Sequence, residues 1–180
     1  MTNDSKTGSG KCTCFVSALH ASEELHQVSI KIETLPIDRV LTSIHQAVSV
    51  VHQYSICSFC ADSFRFPLYA ILLRQVTECY QVLFQAGSFD QEETKTVKLK
   101  IGTFSVDAPI QTAVRAVVFM DVQRTIGAVC ELGEVLRPGG VKSAKETWHG
   151  ATYEYNFSLV EGLKNDLLEI RDEGNNKDRG

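Results

Sequence analysis

Long apolar runs are missing from this 180-residue chain, and so is any surplus of basic charge. No stretch approaches the roughly 20 apolar residues that a membrane-spanning helix needs, and the polar start from Met1 to Lys11 lacks the hydrophobic centre of a signal peptide. These absences predict an intracellular chain, cytoplasmic or nuclear, that does not engage a membrane. Lys and Arg number 18 against 22 Asp and Glu, for a formal net charge of -4. A surface that grips phosphates concentrates basic residues on one face, so direct nucleic-acid contact is not expected. Also missing are a Gly-rich phosphate loop, a Ser-centred nucleophile elbow, a His-Glu-x-x-His helix and a paired-carboxylate motif. Standard cofactor chemistry is therefore disfavoured, and no cofactor is expected.

What is present is helical periodicity. A hydrophobic content of 43% over this length supports one core and one domain. Residues 1–10 and 173–180 are rich in small and polar residues and are expected to be disordered ends around a domain over residues 11–172. A first amphipathic segment is predicted over Cys12 to Ile32, with Phe15, Leu19, Leu25, Val28 and Ile32 near one face and a break between Leu19 and Leu25. Pro36 opens a second helix through Val40, Leu41, Ile44, Val48 and Val51. Asp62 or Ser63 caps a third, apolar around much of its circumference and so expected to be central, running through Leu72, Val76 and Cys79 to Leu83. After a polar loop over Gly87 to Lys98 comes a segment near 97–106 that alternates and reads as extended. Asp107 and Pro109 then suit the cap and first turn of a fourth helix, which Pro138-Gly139-Gly140 stops, and Phe157 to Ile170 mark a fifth. The fold class is all-α, a single-domain helical bundle of about five helices.

Six cysteines suggest a disulfide scaffold only in small secreted chains, so reduced thiols are expected here. Four of them fall into two pairs, Cys12-Thr-Cys14 and Cys57-Ser-Phe-Cys60. Such spacing can supply four thiolates to tetrahedral zinc. It also suits small apolar residues packed together at helix ends, and that reading is favoured over the metal. Cys79 and Cys130 fall on apolar helix faces as core residues. His45 and His52 are seven apart and can share a face, while Asp121 and Arg124, three apart, make an ordinary ion pair. Arg74 and Glu78 are i,i+4 neighbours on the third helix, and burial of that helix would make them a polar site. Trp148, His149, Tyr153 and Tyr155 concentrate aromatics around the only Trp, a set that can line a pocket or plug the core.

Five motifs in order resemble a known family. They are Cys12-x-Cys14, Ile37-Asp38-Arg39-Val40-Leu41, Cys57-Ser58-Phe59-Cys60-Ala61-Asp62, Cys79-Tyr80 at the end of the apolar helix, and Ile101-Gly102-x-Phe104-x-Val106-Asp107. Over roughly Lys11 to Leu136 the chain resembles the C-terminal regulatory domain of fungal zinc-cluster transcription factors of the aflatoxin-regulator type. The resemblance implies a regulator of secondary-metabolite gene clusters. The family's DNA-binding module packs six cysteines into a compact basic segment, and this sequence has none of that density. The expectation is a stand-alone regulatory or interaction module whose partner is another transcription regulator or a pathway metabolite. The alternative is a cofactor-free cyclase or pericyclase in the same fold, with Arg74, Glu78, Tyr80, Trp148 and His149 as its candidate catalytic residues.

Overall fold

The computed structural model describes residues 12–60, 65–85, 96–101, 104–137 and 150–177. Five helices and one two-stranded hairpin account for nearly all of them: α1 (Cys14–Ser29), α2 (Ile37–Ile56), α3 (Phe66–Gln85), β1 (Thr96–Ile101), β2 (Phe104–Pro109), α4 (Ile110–Leu136) and α5 (Gly150–Lys177). The all-α bundle expected from periodicity is the observed architecture, with the extended segment resolved into an antiparallel hairpin. Thr96 lies opposite Pro109 and Ile101 opposite Phe104, and the hairpin packs against α4.

The bundle is organised around α3, which touches each of the other four helices. Phe66, Tyr69, Leu72, Leu73, Val76, Cys79 and Tyr80 are all buried on it. Helix α2 packs against α1, α3 and α4, and α5 closes the other side against α3 and α4. Pro36 holds the position before α2 with φ -58° and ψ 138°, and Arg39 and Val40 donate their N–H groups to its carbonyl. Proline suits this place because the first turn has no use for its missing N–H. Asp38 in the same turn favours the positive end of the helix dipole.

Several expectations need correction. Helix α1 is continuous, with no break after Leu19, and its buried row is Cys14, Ala18, Ala21, Leu25 and Val28. The two alanines let α1 lie close to its neighbours, which leaves Phe15 and Leu19, expected in the core, 41% and 47% exposed. Pro109 ends β2 and Asp107 pairs with Lys98 inside the hairpin, so neither begins α4, which starts at Ile110. The strand claims Thr96, Val97 and Lys98 from the expected loop. Helix α5 begins at Gly150, ahead of the first apolar marker, and continues to Lys177 into the tail expected to be disordered. Phe157 on α5 and Cys130 on α4 face solvent instead of the core. The proposed Asp62 or Ser63 cap, the Pro138-Gly139-Gly140 stop and the disordered start over 1–10 lie outside the described residues.

Candidate functional site

Two clusters stand out, one of thiols and one of polar groups. The thiol cluster forms where three chain segments meet. Cys12 and Cys14 lie at the start of α1, while Cys57 follows the last residue of α2 and Cys60 leads toward α3. Helices α1 and α3 therefore set out from the cluster side by side, with α2 running antiparallel to both. A hydrogen bond from Ser22 Oγ to Gln75 Oε1, 2.9 Å, fixes their alignment further along.

The four sulfurs lie within 4.8 Å of one another. Cys12 Sγ is 3.4 Å from Cys57 Sγ and 3.0 Å from Cys60 Sγ, well beyond the roughly 2.05 Å of a disulfide, and all four cysteines are free thiols. The Cys14 N–H donates to Cys12 Sγ at 3.4 Å. That N–H opens the helix and has no intrahelical acceptor, and Thr13 makes no side-chain cap, so the sulfur takes the place of a capping oxygen. On the other arm Cys57 donates its N–H to Tyr54 O, and Cys60 donates its own to Cys57 O, which folds Cys57-Ser-Phe-Cys60 into a tight turn. Cys14 and Cys60 are buried, whereas Cys12 and Cys57 are half-buried.

The electrostatics of the four thiols are uneven. A hydrogen bond from the Cys60 thiol lowers the pKa of Cys12 to about 7. Burial raises Cys14 to about 11 and pushes Cys60 up further. Behind the cluster the Tyr54 and Tyr69 rings stack with centroids 3.8 Å apart. Burial, then the neighbouring Cys60 and Cys14, raise the pKa of the Tyr69 phenol.

The polar cluster joins α2, α3 and α4. Asp121 is 3% exposed, and its Oδ2 accepts a hydrogen bond from Tyr80 Oη at 3.0 Å. Its Oδ1 receives His45 Nε2 and, at 3.1 Å, Arg124 Nη1. With His45 Nε2–H donating to this oxygen, the 3.0 Å approach of Arg124 to the same ring nitrogen follows from sharing one acceptor. Thr125 Oγ1 bonds Tyr80 Oη at 3.0 Å and lies 3.1 Å from the Asp121 carbonyl. Two turns along α2, His52 Nδ1 meets Glu131 Oε2 at 2.6 Å, so His45 and His52 do share the face of α2 that looks at α4. An open groove of about 350 Å³ runs between them over Val48, Gly127 and Ala128. Burial, then Asp121, raise the pKa of Tyr80, which keeps its phenol protonated as the donor.

Among the described residues, Arg74 and Glu78 do not meet Tyr80 in one site. Arg74 and Glu78 form their i,i+4 pair at 3.3 Å, but their side chains are 66% and 57% exposed, a correction to the partly buried site expected of them. Arg74 borders an open groove of about 360 Å³ shared with Tyr155 and Asp166 of α5. Tyr80, two residues after Glu78, is turned inward and buried in the Asp121 network instead. Trp148 and His149 lie outside the described residues. The pairing of His45 with Asp121 was not anticipated, although a signal existed: Asp121 falls three residues after Val118 and four before Thr125, on the core-facing row of α4.

Comparison with family models, curated proteins and solved structures returned no match.

Proposed function

We propose that this chain is a non-catalytic interaction module of the regulatory type its motifs resemble, serving a fungal secondary-metabolite gene cluster by contacting another regulator. The observation that carries the reading is an apolar strip left in solvent. Phe15 and Leu19 of α1 and Ile71 of α3 are 41%, 47% and 51% exposed, and the parallel alignment of the two helices sets them side by side. The Arg65 guanidinium lies 5.6 Å from the Phe15 ring centroid, adding a cationic rim. Contiguous apolar side chains at the surface are what a protein partner covers. Tyr80, by contrast, spends its hydroxyl on Asp121 and Thr125 inside the bundle, which removes one of the groups that a catalyst in this fold would use.

One arrangement favours the cofactor-free catalyst. A buried aspartate orienting an imidazole on the wall of a groove is how a general base is held. The two readings separate in one experiment, in which the native gene is replaced by a Leu19→Asp, Ile71→Asp variant. Both positions face solvent, so the bundle is expected to stay folded. As a regulator, the variant should lower transcripts of the neighbouring biosynthetic genes several-fold, while the purified wild type converts no late intermediate of that cluster. Unchanged transcripts, together with turnover that His45→Ala abolishes, would sink the regulatory reading.

A further inference from the structure

We infer that Cys12, Cys14, Cys57 and Cys60 hold one zinc ion, in a closed tetrathiolate centre that fastens the start of α1 to the corner between α2 and α3. Packing alone accounts poorly for the arrangement. Apolar carbon atoms rest at about 3.5–4.0 Å, whereas Cys12 Sγ comes within thiol hydrogen-bond distance of two other sulfurs, at 3.0 and 3.4 Å. Small apolar side chains filling a core would not crowd their sulfurs in this way. A tetrahedral ion with zinc–sulfur bonds of about 2.3 Å sets its ligands about 3.8 Å apart. The present separations, from 3.0 Å up to a limit of 4.8 Å, bracket that value. Ligation therefore needs only side-chain adjustments of a few tenths of an ångström to about 1 Å.

The backbone is arranged as a metal knuckle. The tight turn over Cys57-Ser-Phe-Cys60 brings two sulfurs to one side, and the Cys14 N–H already points at Cys12 Sγ. Hydrogen bonds of this kind to a ligand sulfur orient it and disperse its charge. The N-terminus of α1 adds its positive dipole end. Four sulfur donors with no oxygen or nitrogen among them select a thiophilic ion, and zinc is the common choice for a redox-silent tetrahedral site. Four protein ligands leave no open position for water or substrate, so the centre is structural. Its position explains how α1 is held although its inward row contains two alanines: the helix is fixed at its first residue through the metal as well as along its length.

Metal analysis of the reduced, folded protein tests the assignment. We expect close to one zinc per chain, and expect Cys60→Ser to lose most of it. The exposed Cys130→Ser serves as the control that keeps it. Because Cys60→Ser also places a hydroxyl at a fully buried position, cobalt replacement in the wild type gives a second readout that does not depend on the variant's fold. Four thiolates around Co²⁺ should produce strong sulfur-to-metal charge-transfer absorption and the visible bands of a tetrahedral ion, both lost on adding excess zinc. Folded, reduced protein with far less than one zinc per chain and no cobalt spectrum overturns the proposal. So does one iron per chain in place of zinc, or a disulfide between any two of these cysteines.

Discussion

Tyr80 shows how one buried residue can carry both stability and its pH dependence. Its hydroxyl donates to Asp121 at 3.0 Å inside the bundle. Replacing it with Phe leaves a buried carboxylate short of a donor, which costs about 1–3 kcal/mol at neutral pH. The alkaline limb should change in the opposite sense. Burial and Asp121 hold the folded-state pKa above the ordinary phenol value of about 10. Above pH 10 the unfolded chain therefore binds fewer protons than the folded one, and stability falls as pH rises, by up to about 1.4 kcal/mol per pH unit for this group. Cys79, raised to about 11 by burial and then by Glu78, adds a similar loss that begins near pH 9. Urea unfolding of Tyr80→Phe at neutral and alkaline pH should give a lower starting stability and a shallower decline than wild type. A parallel decline would contradict this assignment. The sequence made Tyr80 visible as a candidate but not its partner, because Asp121 is 41 residues away on another helix. For the thiols it was the reverse: the two short spacings were readable as a ligand set, while only the meeting of α1 with the α2–α3 corner brings them together.

At the scale of the helices, periodicity located all five and the inward row of α2, α3 and most of α4 and α5, but it turned Phe15 and Leu19 of α1 and Phe157 of α5 inward when they face solvent. On α3 the solvent-facing strip is Ile71, Arg74 and Glu78, so the charged pair marks the outside of a central helix rather than a polar site within it. On α1 the small residues Ala18 and Ala21 form the packed row, which a count of large apolar residues overlooks. The hairpin register places Pro109 at the end of a strand, where a proline also fits, so the residue alone could not decide between strand end and helix start. The helix interiors offer a comparison of glycines. A methyl group at Gly127 meets nothing within 4 Å, so Gly127→Ala should stabilise α4 by about 0.5–1 kcal/mol through helix propensity. At Gly133 the added carbon would sit 3.2 Å from Val160 Cγ1, where α4 crosses α5. Gly133→Ala should then gain clearly less than Gly127→Ala, or lose stability, in thermal or urea unfolding. Equal gains at both positions would contradict the close approach of the two helices.

Taken as a whole, the molecule is a helical bundle with a polar network between α2, α3 and α4 and a thiol cluster at one end. The apolar strip of Phe15, Leu19 and Ile71 begins beside that cluster. Zinc at the four sulfurs would thus fix the helix that presents two of the three residues of the proposed docking strip, which links the metal to the proposed interaction role. Removing it with a chelator should lower the melting temperature and loosen α1 first, with faster amide exchange over Cys14–Ser29 than over α3. X-ray absorption at the zinc edge of the purified, reduced protein tests this most directly. The account predicts a single shell of four sulfurs at about 2.3 Å with no nitrogen or oxygen neighbours. A shell of nitrogen or oxygen ligands, or folded, reduced protein that is purified without zinc and takes none up, would contradict it.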